Sequence, residues 1–218
     1  MSRADKIISG PSASGGGLLS ALFAPTDEQA MWRAQMEDDA EAFALLVQRW
    51  QEPIFRLCAR MVGDASRAED LTQEIFAKVF TKRREFKPDS KFSTWLWRVA
   101  LNHCYDELRR LKRRNETSLD EEVESEFAAV ELTPDAQAAI DEECDLVRRG
   151  LMRLPEILRT VLALRYCEGL KLREIGEILD LPESTVQSRV ALGLAQITRI
   201  LEPQLRQKSA KHFPQVVL

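Results

Sequence analysis

Residues 70–80 read DLTQEIFAKVF and, after a break at Lys87-Pro88-Asp89-Ser90, residues 92–114 read FSTWLWRVALNHCYDELRRLKRR. Both runs repeat apolar residues at helical period and lack the two-residue alternation of a strand. At about 100° per residue, Leu71, Ile75, Phe76 and Val79 share one arc, and Asp70, Gln73, Glu74 and Ala77 share the opposite one. The first arc belongs in a core. The second is a compact patch of two carboxylates and an amide beside a small residue, suited to close approach and charge-assisted hydrogen bonds, although a solvated helix face has the same grammar.

The second run carries a stripe of Phe92, Trp95, Leu96, Val99, Ala100 and Cys104, with Trp97, Arg98, Asn102 and Tyr105 added around it. Trp95 and Trp97 point about 200° apart on a helix, so they cannot both enter one core in the same direction. Rings interleaved with cations suit single-stranded nucleic acid, because bases stack on rings while Lys and Arg follow phosphates. Arg109, Arg110, Lys112, Arg113 and Arg114 prolong that basic character and could grip duplex phosphates beside an opened strand.

Outward from this pair, charge is segregated. The 218-residue chain has a net charge of -4, yet between Arg114 and Arg148 there is no Lys or Arg and twelve acidic residues. From Lys78 to Arg114 twelve basic residues stand against four acidic ones. Such a local surplus is the footprint of a polyanion partner as well as of a solvated helix.

The same periodicity runs through the rest, so the fold class is all-α: two small helical domains joined by an acidic flexible linker, the second domain a helix-turn-helix. The expected boundaries are a flexible tail over 1–28, a first domain over 29–114, the linker over 115–134, the helix-turn-helix domain over 135–206 and a tail over 207–218. Thr26 or Asp27 can cap the first helix, and Gly63-Asp64 breaks the block. Leu154-Pro155, Glu168-Gly169 and Asp180-Leu181-Pro182 punctuate the second block. Within KLREIGEILDLPESTVQSRVALGLAQI (171–197), Ile175, Ile178 and Leu179 lie on a first helix. A short turn at Asp180-Leu181-Pro182 follows, then a second helix bearing Val186, Val190, Gly193, Leu194 and Ile197, the layout whose second helix enters a major groove.

Several classes are disfavoured. Cys58, Cys104, Cys144 and Cys167 form no CxxC pair, and His103 and His212 lie far apart, so neither a zinc site nor another metal is expected. The cysteines read as core residues of a reduced, cytoplasmic protein. The apolar patch Leu18–Ala24 is too short to insert in a membrane. There is no nucleophile–base pair or Gly-rich phosphate loop, so neither enzyme activity nor a cofactor is expected.

In order, DLTQEIFAKVF, FSTWLWRVALN, an acidic linker, LPEILRTVLALRYCEGL and EIGEILDLPESTVQSRV resemble the bacterial extracytoplasmic-function (ECF) sigma factors, two-domain specificity subunits of RNA polymerase. The likeness covers about residues 30–205. It implies that Asp70, Gln73 and Glu74 dock on core polymerase. It further implies that the loop bearing Phe86, Lys87, Asp89, Ser90 and Phe92, with Trp95, Arg98 and Asn102 on the following helix, opens the minus-ten element and holds non-template bases, Arg109 and Arg110 lying on flanking phosphates. The helix-turn-helix would read the minus-thirty-five duplex through Lys171, Arg173, Ser184, Thr185, Gln187, Ser188, Arg189, Ala191 and Leu192. Core RNA polymerase, promoter DNA and an anti-sigma factor are the implied partners.

One feature departs from the family pattern. After Ser188-Arg189 the recognition helix continues Val190-Ala191-Leu192-Gly193-Leu194, where further basic residues are usual, which leaves its reading face nearly neutral. Duplex contact through hydroxyls, Gln187, Arg189 and apolar contact with thymine methyls is then less salt-dependent than usual. A decoy that holds an anti-sigma factor or polymerase without starting transcription is the alternative reading.

Overall fold

The computed structural model describes residues 25–87, 89–117 and 144–212. Most of the expected N-terminal tail (1–24), residues 118–134 of the expected linker and the last six residues lie outside the described residues, as does Pro88.

The first domain contains α1 (Asp27–Met36), α2 (Ala40–Val62), α3 (Ala65–Thr81), a 3-10 turn at Arg83–Glu85 and α4 (Phe92–Thr117). Thr26, of the two expected caps, starts α1: its hydroxyl accepts from Gln29 N–H while the Gln29 side chain accepts from Thr26 N–H. Asp39 and Asp64 cap α2 and α3 more simply, each carboxylate accepting from the backbone N–H three residues on, of Ala42 and of Arg67. Between α2 and α3 the chain turns through Gly63 at φ 80, a conformation costly to a side chain. α4 runs three residues past the expected domain end at Arg114.

The second domain contains a helix over residues 144–152 (α5), α6 (Glu156–Leu162), a π-turn at Ala163–Cys167, α7 (Leu172–Leu179) and α8 (Glu183–His212). Leaving the π-turn, Gly169 at φ 70 lets Leu170 N–H reach back to Leu164 O, closing the carbonyls the helix leaves open. The turn between α7 and α8 is tight because Asp180 is left-handed at φ 55 and Leu181 N–H donates to Gly176 O. A Cβ on Gly176 would lie 2.7 Å from Leu181 O, so only glycine fits there. Among the described residues there is no strand and no helix long and apolar enough to cross a membrane.

The arc expected to be apolar on α3 is buried throughout, and its polar counterpart, Asp70, Gln73, Glu74 and Ala77, is exposed. On α4 the two tryptophans part company: Trp97 is buried with Phe92 and Leu96, while Trp95 sits at the core margin. On α8, Val186, Val190 and Gly193 are buried, Gly193 lying against Leu162. Leu194, expected with them, is instead exposed: the stripe runs 186, 190, 193, 197, and Leu194 lies one residue off it.

The two domains share one continuous apolar core. Polar contacts cross the boundary at several points. Arg159 of α6 is buried and donates to Met61 O at the end of α2 as well as to Leu151, Met152 and Leu154 carbonyls in its own domain. Burial lowers the pKa of its guanidinium, opposed in part by the Glu156 charge, and four carbonyl acceptors satisfy its N–H groups. Arg56 of α2 holds the buried Glu168 carboxylate at 2.8 Å, the Tyr105 hydroxyl meets that of Thr160 at 2.8 Å, and Lys112 reaches Glu156 at 2.7 Å.

Candidate functional site

α3 and α4 lie side by side, and a network at their junction organises the outward patch of α3. The Arg67 guanidinium donates to the buried Glu107 at 2.8 Å and to Glu74 at 2.9 Å, and stands 3.5 Å from Asp70. His103 of α4 meets the other Glu74 oxygen at 2.8 Å, and Arg110 pairs with Glu107 at 2.6 Å. Burial alone would raise the Glu74 pKa, but hydrogen bonds from His103 and Arg67 outweigh it, so the carboxyl is held below its ordinary range. Glu107 is lowered too, chiefly by its hydrogen bond from Arg67. The patch is therefore an ionised, oriented carboxylate–amide face with Gln73 and Asp70 exposed around Glu74. Sequence reasoning missed Arg67, His103 and Glu107. Only Arg67 left a local signal, one and two helical turns before Asp70 and Glu74.

The loop between the 3-10 turn and α4 is pinned at both ends by α1. Gln35 donates to the carbonyls of Arg84 and Phe86 at 3.1 and 3.2 Å, and Glu28 accepts from Phe92 N–H at 3.1 Å, capping the start of α4. Neither residue was singled out in the sequence, because their partners are more than 45 positions away. Between these pins Lys87, Asp89 and Ser90 are exposed.

Phe86 and Phe92, expected at the nucleic-acid surface, are 3% and 0% exposed. They sit too deep to touch a base. Their rings back Trp95 at 5.5 and 6.2 Å between centroids, and Trp50 continues the stack behind Phe92. The pair thus orients Trp95, whose indole remains partly exposed, with Asn102 exposed further along α4. Arg109 and Arg110 are exposed and paired with Asp106 and Glu107. Arg98 is exposed but engaged: its guanidinium donates to Glu177 O and to Ile178 O, the latter at 3.2 Å, in the last turn of α7.

The third surface is the start of α8. Ser184, Gln187, Ser188, Ala191 and Leu192 are exposed, and Thr185 and Arg189 are half-buried. Ser188 Oγ is engaged with Ser184 O at 2.9 Å. Lys171 and Arg173 are exposed near α7, Arg173 reaching Glu177 at 3.2 Å. No group of three or more His, Cys, Asp or Glu among the described residues could hold a metal.

Known families match a segment in each of the two domains. The family described as Sigma-70 region 2 matches residues 46–114, and that described as Sigma-70, region 4 matches residues 144–197. The chain is 36% identical over 163 residues to the ECF RNA polymerase sigma factor SigW of Bacillus subtilis, covering 71% of this chain and 86% of the relative. It is also 36% identical over 187 residues to the RNA polymerase sigma-H factor of Pseudomonas aeruginosa, covering 83% and 96%. In fold it resembles CnrH, solved with the cytosolic domain of CnrY, with a TM-score of 0.61 at 23% identity over 82% of this chain and 99% of that one.

Proposed function

This chain belongs to the ECF sigma factors, and we propose that its surfaces divide the work of transcription initiation between polymerase docking on α3, strand capture on α4 and duplex reading on α8. As a family member it associates with core RNA polymerase and serves promoter recognition. The family consists of DNA-binding regulatory proteins; here catalysis is left to the polymerase. The cytoplasm, where polymerase and promoters are, is its working compartment, and an anti-sigma factor is the regulatory partner.

The docking residues are Asp70, Gln73 and Glu74. Strand capture falls to Trp95 and Asn102 with Lys87, Asp89 and Ser90 in the loop, while Phe86 and Phe92 act behind Trp95 rather than on DNA. Arg98 joins this set once released from α7, and Arg109 and Arg110 lie along flanking phosphates. Lys171, Arg173, Ser184, Thr185, Gln187, Ser188, Arg189, Ala191 and Leu192 meet the minus-thirty-five duplex. The observation that carries this reading is the placement of an ionised docking face and an exposed Trp95–Asn102 surface on adjacent helices of one domain. Run-off transcription with purified core polymerase on a library of promoter fragments tests it. Transcripts that begin downstream of a shared two-part element are expected. Polymerase binding with no transcript from any fragment would identify a decoy instead.

A further inference from the structure

α1 packs into the first domain through Ala30, Met31 and Ala34. At the edge of that stripe stand Glu28 and Gln35, two helical turns apart and on one face. Each reaches main-chain atoms of the loop that leads into α4. The Gln35 amide donates to Arg84 O at 3.1 Å and to Phe86 O at 3.2 Å, and Glu28 accepts from Phe92 N–H at 3.1 Å. The Arg83 guanidinium fixes the entry to the same loop, donating to Ala34 O at 3.1 Å and to Asp38, just past the end of α1, at 2.6 Å. Because Gln35 and Glu28 meet main-chain atoms, they fix the path of the loop whatever side chains it carries. Those side chains, Lys87, Asp89 and Ser90, are exposed. Burial of Phe86 and Phe92 ties both ends of the loop to the core, but apolar contact is non-directional. The hydrogen bonds from α1 set the direction in which the backbone leaves each ring. Room to depart from it exists: a cleft of about 570 Å³, lined by Glu28, Trp32, Gln35 and Phe86 among others, opens on this side of the loop.

We propose that Gln35 and Glu28 are positioning residues for strand capture: they hold the two ends of the loop so that Lys87, Asp89 and Ser90 meet the opened strand in one register, and base selectivity at the minus-ten element is set on α1 as well as in the loop. This role rests on the reading of the loop and α4 as the strand-capturing surface. A polar side chain selects one base over another only when it is held in place before the base arrives; released, the same group accommodates several. The choice of residue at position 28 fits the role. A carboxylate beside a surface that meets nucleic acid repels it unless the charge is otherwise engaged. Glu28 is engaged at the start of α4, where a helix presents unpaired N–H groups and the positive end of its dipole. The work is thus divided within the first domain: loop side chains choose the base, and α1 fixes where they stand.

The test uses holoenzyme, the full chain bound to core polymerase, and a set of fluorescent single strands: the minus-ten element selected in run-off transcription, and versions with each base replaced in turn. Gln35→Glu keeps the shape of the side chain and sets a carboxylate against two carbonyls. It is expected to weaken capture of the selected strand about tenfold, by the scale of two ordinary hydrogen bonds. It should also bring the affinities for the other strands closer together, while co-purification with polymerase stays at the wild-type level. Glu28→Leu loses the acceptor and should act alike, whereas Glu28→Gln keeps an acceptor oxygen and should match the wild type. A substitution that merely loosened the fold would lower the melting temperature and weaken every strand by one factor. Unchanged ratios between strands in a variant of native helical content therefore overturn the proposal, as does Glu28→Gln behaving as Glu28→Leu does. Should Gln35→Glu lose helical content, Gln35→Met, of like length and without donors, makes the same comparison. In a chain with Lys87, Asp89 and Ser90 all replaced by alanine, Gln35→Glu should cost no further selectivity, since its effect runs through them; a full further loss there overturns the role. Wild-type holoenzyme separates this role from the reading beneath it. No transcript, or no discrimination between strands, by the wild type defeats strand capture itself, whereas wild-type discrimination that survives substitution of both Gln35 and Glu28 defeats the positioning role alone.

Discussion

On α4 almost every group proposed for strand capture is already held: Trp95 is backed by Phe86 and Phe92, the loop is pinned by Gln35 and Glu28, and Arg98, Arg109 and Arg110 each hold an acceptor. On α8 Ser184, Gln187, Ser188, Ala191 and Leu192 are exposed, and the half-buried Arg189 is the sole cation among the residues from Ser184 to Leu192. The first face is preorganised, so contacts made there exchange one partner for another and are coupled to the fold. The second is open and nearly neutral, so its contacts should be weaker, more nearly additive and less dependent on salt.

The largest expected effect lies on the network that organises the first domain. Glu74→Lys reverses a charge proposed for docking and also sets a cation against Arg67 and His103. Association with core polymerase should fall at least about 100-fold, by the scale of breaking a desolvated charge contact. Co-purification with core enzyme, beside circular dichroism to show the helices intact, measures it; near-native association would remove Glu74 from the docking face. Next in size is Gly176→Ala, which drives a Cβ against Leu181 O. Thermal melting should show about 1–3 kcal/mol of destabilisation, by the usual cost of overpacking. A neutral result would mean the turn between α7 and α8 is less tightly set than its geometry implies.

Acid acts on the same network with a definite sign. Because Arg67 lowers the Glu107 pKa below its unfolded value, the stability this pair contributes is present above the ordinary glutamate range and is lost as pH falls through the lower folded value. Glu107→Gln should therefore lower the melting temperature by several degrees near neutral pH and bring the mutant and wild-type curves together in acid. Parallel curves at every pH would show that Glu107 acts by packing alone.

Much of this contrast was legible in the sequence. The arcs of α3, the breaks at Gly63 and Pro155 and the turn at Asp180-Leu181-Pro182 all follow from local rules of periodicity and backbone conformation, and the structure follows them. What local rules could not give were relations across the chain. Phe86 and Phe92 carry the composition of a base-stacking surface, yet both are buried, packed against each other and against Trp95, with Trp50 of α2 beside Phe92. Arg98 has the chemistry of a DNA contact, and only the approach of α7, some eighty residues away, shows where its guanidinium rests. Cys58 and Cys104 read as scattered cysteines, whereas their sulfurs lie 3.8 Å apart in the first-domain core. Leu194 was misplaced because a helical stripe drifts, and one residue decides which side of its edge a leucine takes.

A smaller effect tests strand capture itself. Asn102→Ala should leave polymerase association intact and weaken open-complex formation about five- to tenfold, the value of roughly one hydrogen bond of about 1 kcal/mol. Potassium permanganate footprinting of unpaired thymines reads it directly. Unchanged strand opening would leave Trp95 and the loop to do the capturing without it.

The subtlest prediction separates the two faces by salt rather than by affinity. Every phosphate neutralised by a cation adds about one unit to the slope of log affinity against log salt concentration. With Arg189 as the only charged donor from Ser184 to Leu192, Arg189→Ala should cost a modest few-fold in binding of holoenzyme to minus-thirty-five duplex and lower that slope by about one unit or less. Ala191→Lys restores a cation at an exposed position on the same face and should raise both affinity and slope. The hydroxyls of Ser184 and Thr185 and the Leu192 side chain add no such slope, since they displace water rather than counterions. Fluorescence anisotropy across a salt series distinguishes these terms. A steep slope that collapses when Arg189 alone is removed would mean that this single guanidinium carries the electrostatics of the whole face, and the contrast between a charged, preorganised α4 and a neutral, open α8 would fail at its second half.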